Sequence, residues 1–191
     1  MIFARLKQLL YTWWMKRFIG QVGESSIIQY PCTLQGGSLQ HIKIGHHTCI
    51  QSHCILGCWD HYEAHDGPQT FSPEIIIGNH CSIGEYTQIT ACNRVSIGDG
   101  LLTGRFVYIG DNAHGGLSLE EASVPPVLRR LQSKGDIVIG QNVWIGDKVT
   151  ILGGVTIGDN VIVGANSVVT HDVPSHCLVA GVPAKIIKRI E

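Results

Sequence analysis

The 191-residue chain carries 14 Lys and Arg against 15 Asp and Glu, so its formal net charge of −1 gives no electrostatic reason to expect nucleic acid as a partner. One domain is the default at this length, and the chain can bury a sizeable core. Charged residues are only 15 % of it, which leaves many outward positions neutral and suited to flat subunit interfaces; the seven scattered cysteines, with no secretory signal ahead of them, fit reduced thiols in a cytoplasmic protein.

From the N-terminus, MIFARLKQLLYTWWMKRFIG places Ile2, Leu6, Leu9, Leu10, Trp13 and Trp14 near helical spacing, predicting a helical segment over residues 1–20. Arg5, Lys7, Lys16 and Arg17 interrupt any apolar run long enough to span a bilayer. No small-residue cleavage site follows. Such a helix can cover the open end of the domain behind it. A basic, Trp-bearing helix also suits peripheral contact with the inner face of a membrane.

From residue 21 onward, apolar residues recur in pairs spaced by two, which puts both members on one face of a strand. Ile28 and Leu34 open the series. Ile42/Ile44, Thr48/Ile50 and Cys54/Leu56 follow, then Ile75/Ile77, Cys81/Ile83, Thr87/Ile89, Val95/Ile97, Leu101/Thr103 and Val107/Ile109. The pattern is cleanest over residues 137–170, where Ile139, Ile145, Ile151, Ile157, Val163 and Val169 repeat every six positions. A period of six suits neither an amphipathic helix nor a hairpin sheet. It suits short strands joined by tight corners, the repeat signature of an all-β parallel β-helix over residues 21–191. The 23 glycines fit a fold built from corners, and Asn79, Asn142 and Asn160 suit left-handed backbone angles there.

Counting phase locates the insertions. Leu56 to Ile77 leaves 15 extra residues, in loop 57–73; Ile89 to Ile97 leaves two, near Ala91 to Arg94; Ile109 to Ile139 leaves 24, in loop 111–135. Five to six coils result. Pro125 and Pro126 stop regular structure in the longer loop, and Leu117 to Ala122 suits one helical turn. After Val169, Pro174 breaks the repeat, and the tail 171–191 ends in a strand made basic by Lys185, Lys188 and Arg189.

Residues 137–170 and the ending HDVPSHCLVAGVPAKIIKRIE resemble the hexapeptide-repeat O-acetyltransferases, strongly over Ile75–Ile190 and loosely before it. The resemblance implies a left-handed β-helix, acetyl-CoA as co-substrate and a homotrimer with each active site between two subunits. In the sugar and xenobiotic members a His at the place of His114, in Asp111-Asn112-Ala113-His114-Gly115, is the general base. A sugar hydroxyl is a poor nucleophile at neutral pH, and imidazole can take its proton as it attacks the thioester. No Ser/His/Asp nucleophile elbow is visible, which favours direct transfer.

By the same resemblance Trp144 flanks the CoA channel, Asp147 and Ala165 face the pantetheine arm, and Thr170, His171, Lys185 and Lys188 lie toward the nucleotide. Lysines suit its phosphates as mobile point charges. Asp147 stands where related enzymes carry a hydroxyl donor, and an ionised carboxylate cannot donate, so that role passes to a backbone N–H. His171 stands where many relatives have Lys. Asn93 and Asn112 are candidates for holding acceptor hydroxyls. The loop segments resemble those of acetyltransferases acting on capsular polysaccharide or lipopolysaccharide sugars. Serine, an antibiotic or a sugar amine is the alternative acceptor, and a catalytically silent scaffold the alternative from another class.

His46, His47, Cys49, His53, Cys54, Cys58, His61 and His65 crowd one region. They contain no C-x-x-C pair, only one His lies at the candidate site, and Cys54 should point inward, so no metal is expected.

Overall fold

The structure, a computed structural model, describes residues 2–116 and 118–189. Met1, Leu117, Ile190 and Glu191 lie outside the described residues, and so do those ends of the expected helix, turn and tail.

After the helix α1 (Ile2–Met15), the chain visits three parallel sheets in fixed rotation. The first face takes Gln21–Val22, Ile42–Ile44, Glu74–Ile77, Arg94–Ile97, Ile137–Ile139 and Thr156–Ile157. The second takes Ile27–Ile28, Cys49–Ile50, Ser82–Ile83, Leu102–Thr103, Trp144–Ile145 and Ile162–Val163, and ends with Cys177–Ala180 and Lys185–Arg189. The third takes Thr33–Gln35, Ile55–Cys58, Gln88–Ala91, Tyr108–Gly110, Thr150–Leu152 and Val168–Val169. Within these faces only the last two strands pair antiparallel. Each residue lies on its counterpart one round later, as in Ile42↔Ile75, Val95↔Ile137 and Ile145↔Val163.

The spaced pairs fill the interior. Ile44, Ile77, Ile97, Ile139 and Ile157 form one buried column, and Leu56, Ile89, Ile109, Ile151 and Val169 another. Burying each such side chain contributes about 1.5–3 kcal/mol, and stacked like on like they leave little freedom of register.

The corners need left-handed backbone, and His80, Asn142 and Asn160 supply it at φ 54°, 54° and 55°. Asn79 does not, contrary to the sequence expectation. It sits one position earlier, where its Oδ1 accepts from the His46 N–H at 2.8 Å while its own N–H donates to Asp99 Oδ1 at 2.7 Å. The corner after Gly78 thus has two jobs, a cap done by Asn79 and then left-handed backbone supplied by His80.

α1 covers the N-terminal end. Met15 and Ile19 enter the core, the Thr12 hydroxyl bonds both N–H and C=O of Ile28, and the Tyr11 hydroxyl does the same for Cys32. The arc held against the coil is therefore the half-buried Tyr11 with the buried Thr12 and Met15, continued by Ile19 just past the helix, and the described leucines and tryptophans of the helix face outward.

Candidate functional site

Three successive strands of the third face, ending at Cys58, Ala91 and Gly110, each depart from the regular coil at the same edge. The first departure folds as a hairpin, His61–Ala64 against Gly67–Thr70. The second is the bulge Cys92–Asn93. The third opens with the antiparallel pair Asn112–His114 and Leu131–Ser133, and carries a short helix at Leu119–Ala122 and a 3-10 turn at Pro126–Leu128. The prolines expected only to end regular structure thus begin a turn.

The two long insertions clasp each other. Gln69 mimics a strand neighbour of Leu131, accepting from its N–H at 2.7 Å and donating to its C=O at 3.2 Å. The His65 N–H donates to Leu128 O at 2.7 Å, and Arg130 pairs with Asp66 at 2.8 Å, holding that carboxyl below its usual range.

Between them lies a cavity of about 310 Å³ lined by Trp59, Tyr62, Gln88, Thr90, Tyr108 and His114, among others. Its described lining carries no acid and no lysine or arginine. The Trp59 indole N–H donates to the Thr90 hydroxyl at 3.1 Å, fixing the ring at the wall. Tyr108 folds over Gly110, where a Cβ would stand 2.3 Å from its hydroxyl. Burial, and then the nearby Asp111 carboxylate, raise the Tyr108 phenol's pKa and keep it a donor.

His114 sits on the strand leaving the coil, with its ring exposed to the cavity. The Tyr62 hydroxyl contacts both the Val127 carbonyl and His114 Nδ1, the latter at 3.1 Å. A carbonyl only accepts, so Tyr62 donates its proton there and accepts from His114. The network therefore assigns the imidazole hydrogen to Nδ1, leaving Nε2 as the proton acceptor. The Tyr62 ring lies edge-on to the imidazole, centroids 5.3 Å apart.

Asp111, at the root of this loop, is only 1 % exposed. Its carboxylate accepts from the N–H groups of Cys92 at 2.9 Å and Asn93 at 2.8 Å, and from Asn112 Nδ2 at 3.1 Å. It fixes the bulge and the base of the His114 strand together.

Of the expected acceptor residues, Asn112 lines the cavity with its amide turned to Asp111, while Asn93 donates to Asp136 at 2.5 Å. Trp144 is 52 % exposed on the second face. Asp147 and Ala165 share the next corner, two rounds of one column, and Asp147 Oδ1 caps the Arg105 N–H at 2.8 Å. Thr170 and His171, bonded to each other at 2.8 Å, follow the last strand of the third face. Lys185 and Lys188 are exposed on the terminal strand. These residues occupy different edges of the prism, and a single chain does not bring them all to His114. Trp59, Tyr62, Gln69 and Asp111 are what sequence reasoning missed as site residues; the aromatic WDHY in an insertion was the available signal.

The crowded His and Cys residues scatter. His47 stacks on His80 and His53 on Tyr86, while Cys54 and Cys58 point into the core. Among the described residues no group of three or more His, Cys, Asp or Glu could hold a metal.

Residues 136–171 match the family described as bacterial transferase hexapeptide (six repeats). WbbJ of Escherichia coli strain K12, provisionally named a lipopolysaccharide biosynthesis O-acetyl transferase, is 40 % identical over 119 residues, 60 % of each chain. The polysialic acid O-acetyltransferase of Escherichia coli O1:K1 is 40 % identical over 123 residues, 63 % of this chain and 38 % of that one. The chain thus spans under two thirds of the length of both. Among solved structures, a hexapeptide-repeat acetyltransferase of Vibrio cholerae in complex with acetyl-CoA is 28 % identical with a TM-score of 0.57, covering 93 % of this chain and 74 % of that one. The repeats of residues 136–171 are thus similar to those of that family, and the relatives that the chain resembles over a longer stretch are named as O-acetyltransferases.

Proposed function

We propose that the chain transfers the acetyl group of acetyl-CoA to a hydroxyl of a carbohydrate, with His114 as general base. The observation that carries this reading is the Tyr62–His114 contact at the wall of an uncharged cavity. With its hydrogen on Nδ1, His114 has Nε2 free to take the acceptor's proton as the oxygen attacks the thioester carbonyl. Trp59 and Tyr108 offer apolar faces for the C–H side of a sugar ring, and Gln88 and the Oδ1 of Asn112, whose Nδ2 is held by Asp111, suit its hydroxyls. The names of the relatives support a sugar acceptor.

The acetyl-CoA side of the proposal uses Trp144, Asp147, Ala165, Thr170, His171, Lys185 and Lys188. Their spread over separate edges supports a homotrimer in which CoA lies between neighbouring chains and reaches His114 of one of them. The fold proposed is one left-handed β-helix domain over residues 21–191 behind the helical segment 1–20, with six rounds through the three faces. Seven free thiols suit a reducing, cytoplasmic setting.

The test is a screen of nucleotide-linked and lipid-linked sugars with a free-CoA readout, run on the native chain and on His114→Ala. The native chain should turn over one class of sugar, and the variant should lose about 10²–10⁴ of kcat while still binding acetyl-CoA. Retention of more than about a tenth of kcat would refute the base assignment. Light scattering should give three times the 20.8 kDa chain mass, and an active monomer would refute the shared site.

A further inference from the structure

The outer arc of α1 is at odds with a helix meant for water. Leu6, Leu9, Leu10, Trp13 and Trp14 are 51 %, 50 %, 57 %, 56 % and 47 % exposed. At about 100° per residue they fall opposite the arc that holds the helix to the coil. The end of the β-helix has been covered already by Tyr11, Thr12, Met15 and Ile19, so these side chains are not needed for the cap. Scattered exposed apolar residues need no explanation, but five on one face of one helix do.

Charge points to what covers them. Residues 1–23 contain four cations and no acid; Glu24 is the first carboxylate. Lys7 and Lys16 flank the apolar arc on either side. The Arg17 guanidinium lies 3.9 Å from the centre of the Trp13 ring, its stem along apolar surface and its charge free. Trp14 packs edge-on against Phe18, itself 39 % exposed, which lengthens the apolar ridge past the helix end. An apolar centre bearing indoles and rimmed only by cations is complementary to the boundary between acyl chains and anionic headgroups. A protein partner would need acids facing Lys7, Lys16 and Arg17 around a hydrophobic socket, and a second copy of this helix would set cation against cation. No described helix is long and apolar enough to cross a membrane, so the contact is one of lying on the surface.

We propose that α1 docks the chain onto an anionic lipid surface, with the leucines and Trp13 entering the interface and Lys7, Lys16 and Arg17 on the headgroups. This stands apart from the transferase reading and holds whatever the acceptor is. Three helices at one end of a trimer would bind together and multiply a weak single contact.

The experiment is co-sedimentation of the full chain with phosphatidylglycerol/phosphatidylcholine vesicles and with pure phosphatidylcholine vesicles, alongside light scattering without lipid. The native chain should sediment with the anionic vesicles only, and less as salt rises. Replacing Lys7, Lys16 and Arg17 by Gln should weaken binding on the order of 100-fold, from about 1 kcal/mol per cation at the surface. Leu10→Ser with Trp13→Ser should abolish it and leave both the fold and the mass unchanged, since both side chains are more than half exposed and outside the buried core. Failure to bind anionic vesicles overturns the proposal. So does equal binding by the variants, or a drop in oligomer mass in the Ser variant, which would make the face a protein interface.

Discussion

Replacing Tyr62 by Phe is the sharpest probe of how the site works, because it deletes one oxygen and keeps the ring. The hydroxyl bridges the Val127 carbonyl and His114 Nδ1, and the ring meets the imidazole edge-on at 5.3 Å, inclined by 63°. Phe preserves that packing. Nδ1–H and the Val127 carbonyl each lose a partner, and both stand where water can replace it, so no buried orphan is created. The loss is then that of an ordinary net hydrogen bond, about 0.5–1.5 kcal/mol. Expressed wholly in the transition state it lowers kcat by about 2- to 13-fold, because the imidazole now spends time rotated or with its hydrogen on Nε2. KM for acetyl-CoA should not move, since Trp144, Lys185 and Lys188, the residues proposed to hold it, lie on another face. The assay is steady-state kinetics on a productive acceptor, with His114→Ala measured beside it. An unchanged kcat in the Phe variant, with the Ala variant slow, would show that Tyr62 does not orient the base. A loss as deep as that of His114→Ala would refute the positioning role in the other direction, making Tyr62 itself the proton-handling group.

Asp111→Ala should strip the Cys92 and Asn93 N–H groups of their buried acceptor. At about 1–3 kcal/mol per orphaned donor, and roughly 2–4 °C per kcal/mol for a chain of this size, Tm should fall by at least about 4 °C; a fall under about 1 °C would mean the bulge does not depend on the carboxylate. Lys185→Ala with Lys188→Ala should raise KM for acetyl-CoA and leave kcat nearly unchanged, because exposed phosphate contacts are equal in ground and transition states; an unchanged KM would place the nucleotide elsewhere. Burial pushes the thiols of Cys32, Cys58 and Cys92 up to about 12 and that of Cys54 to about 11. Iodoacetamide at pH 8 should therefore spare these four in the folded chain and label the half-buried Cys49 first, as read by peptide mass spectrometry; rapid labelling of Cys92 would show the bulge opens readily.

The coil was legible because the interior accepts only what alternation puts there: every expected inward pair from Ile42/Ile44 to Val107/Ile109 is buried, and so is each six-spaced residue from Ile139 to Val169. The helix was legible as a helix, but periodicity could not say which arc faces the coil. The hydroxyls of Tyr11 and Thr12 settle that by satisfying the backbone of Ile28 and Cys32, and the larger apolar side chains are left outside. The site was legible only at its root. His114 stands out in its motif, whereas Tyr62 meets it from 52 positions away and Gln69 meets Leu131 from 62, pairings that no local spacing encodes. Asn93 and Asn112 each give their Nδ2 to a carboxylate of this chain, a structural role that local spacing does not show either.

What the sequence did encode is where the site would form. The three interruptions, of 15, two and 24 residues, all fall after the same kind of strand. In a coil with three faces an insertion at a given phase must leave at a given edge, whatever its length. Ile55–Cys58, Gln88–Ala91 and Tyr108–Gly110 are consecutive neighbours in the third sheet, so their departures are stacked one above the next. The hairpin and the long loop therefore begin two strand spacings apart, about 10 Å, and have the bulge between them, tied to Asp111. Neither insertion has a core of its own, and each is ordered mainly by the other, through Gln69, Tyr62, His65 and the Asp66–Arg130 pair. A cavity walled by two clasped loops can change its lining without disturbing the repeat, and the coil beneath it fixes His114 to a rigid edge. On the proposed transferase function, acceptor choice is therefore expected to lie with residues 57–73 and 111–135. Exchanging the hairpin alone for one lacking Tyr62 and Trp59 should change which sugar is used before it changes whether acetyl-CoA binds.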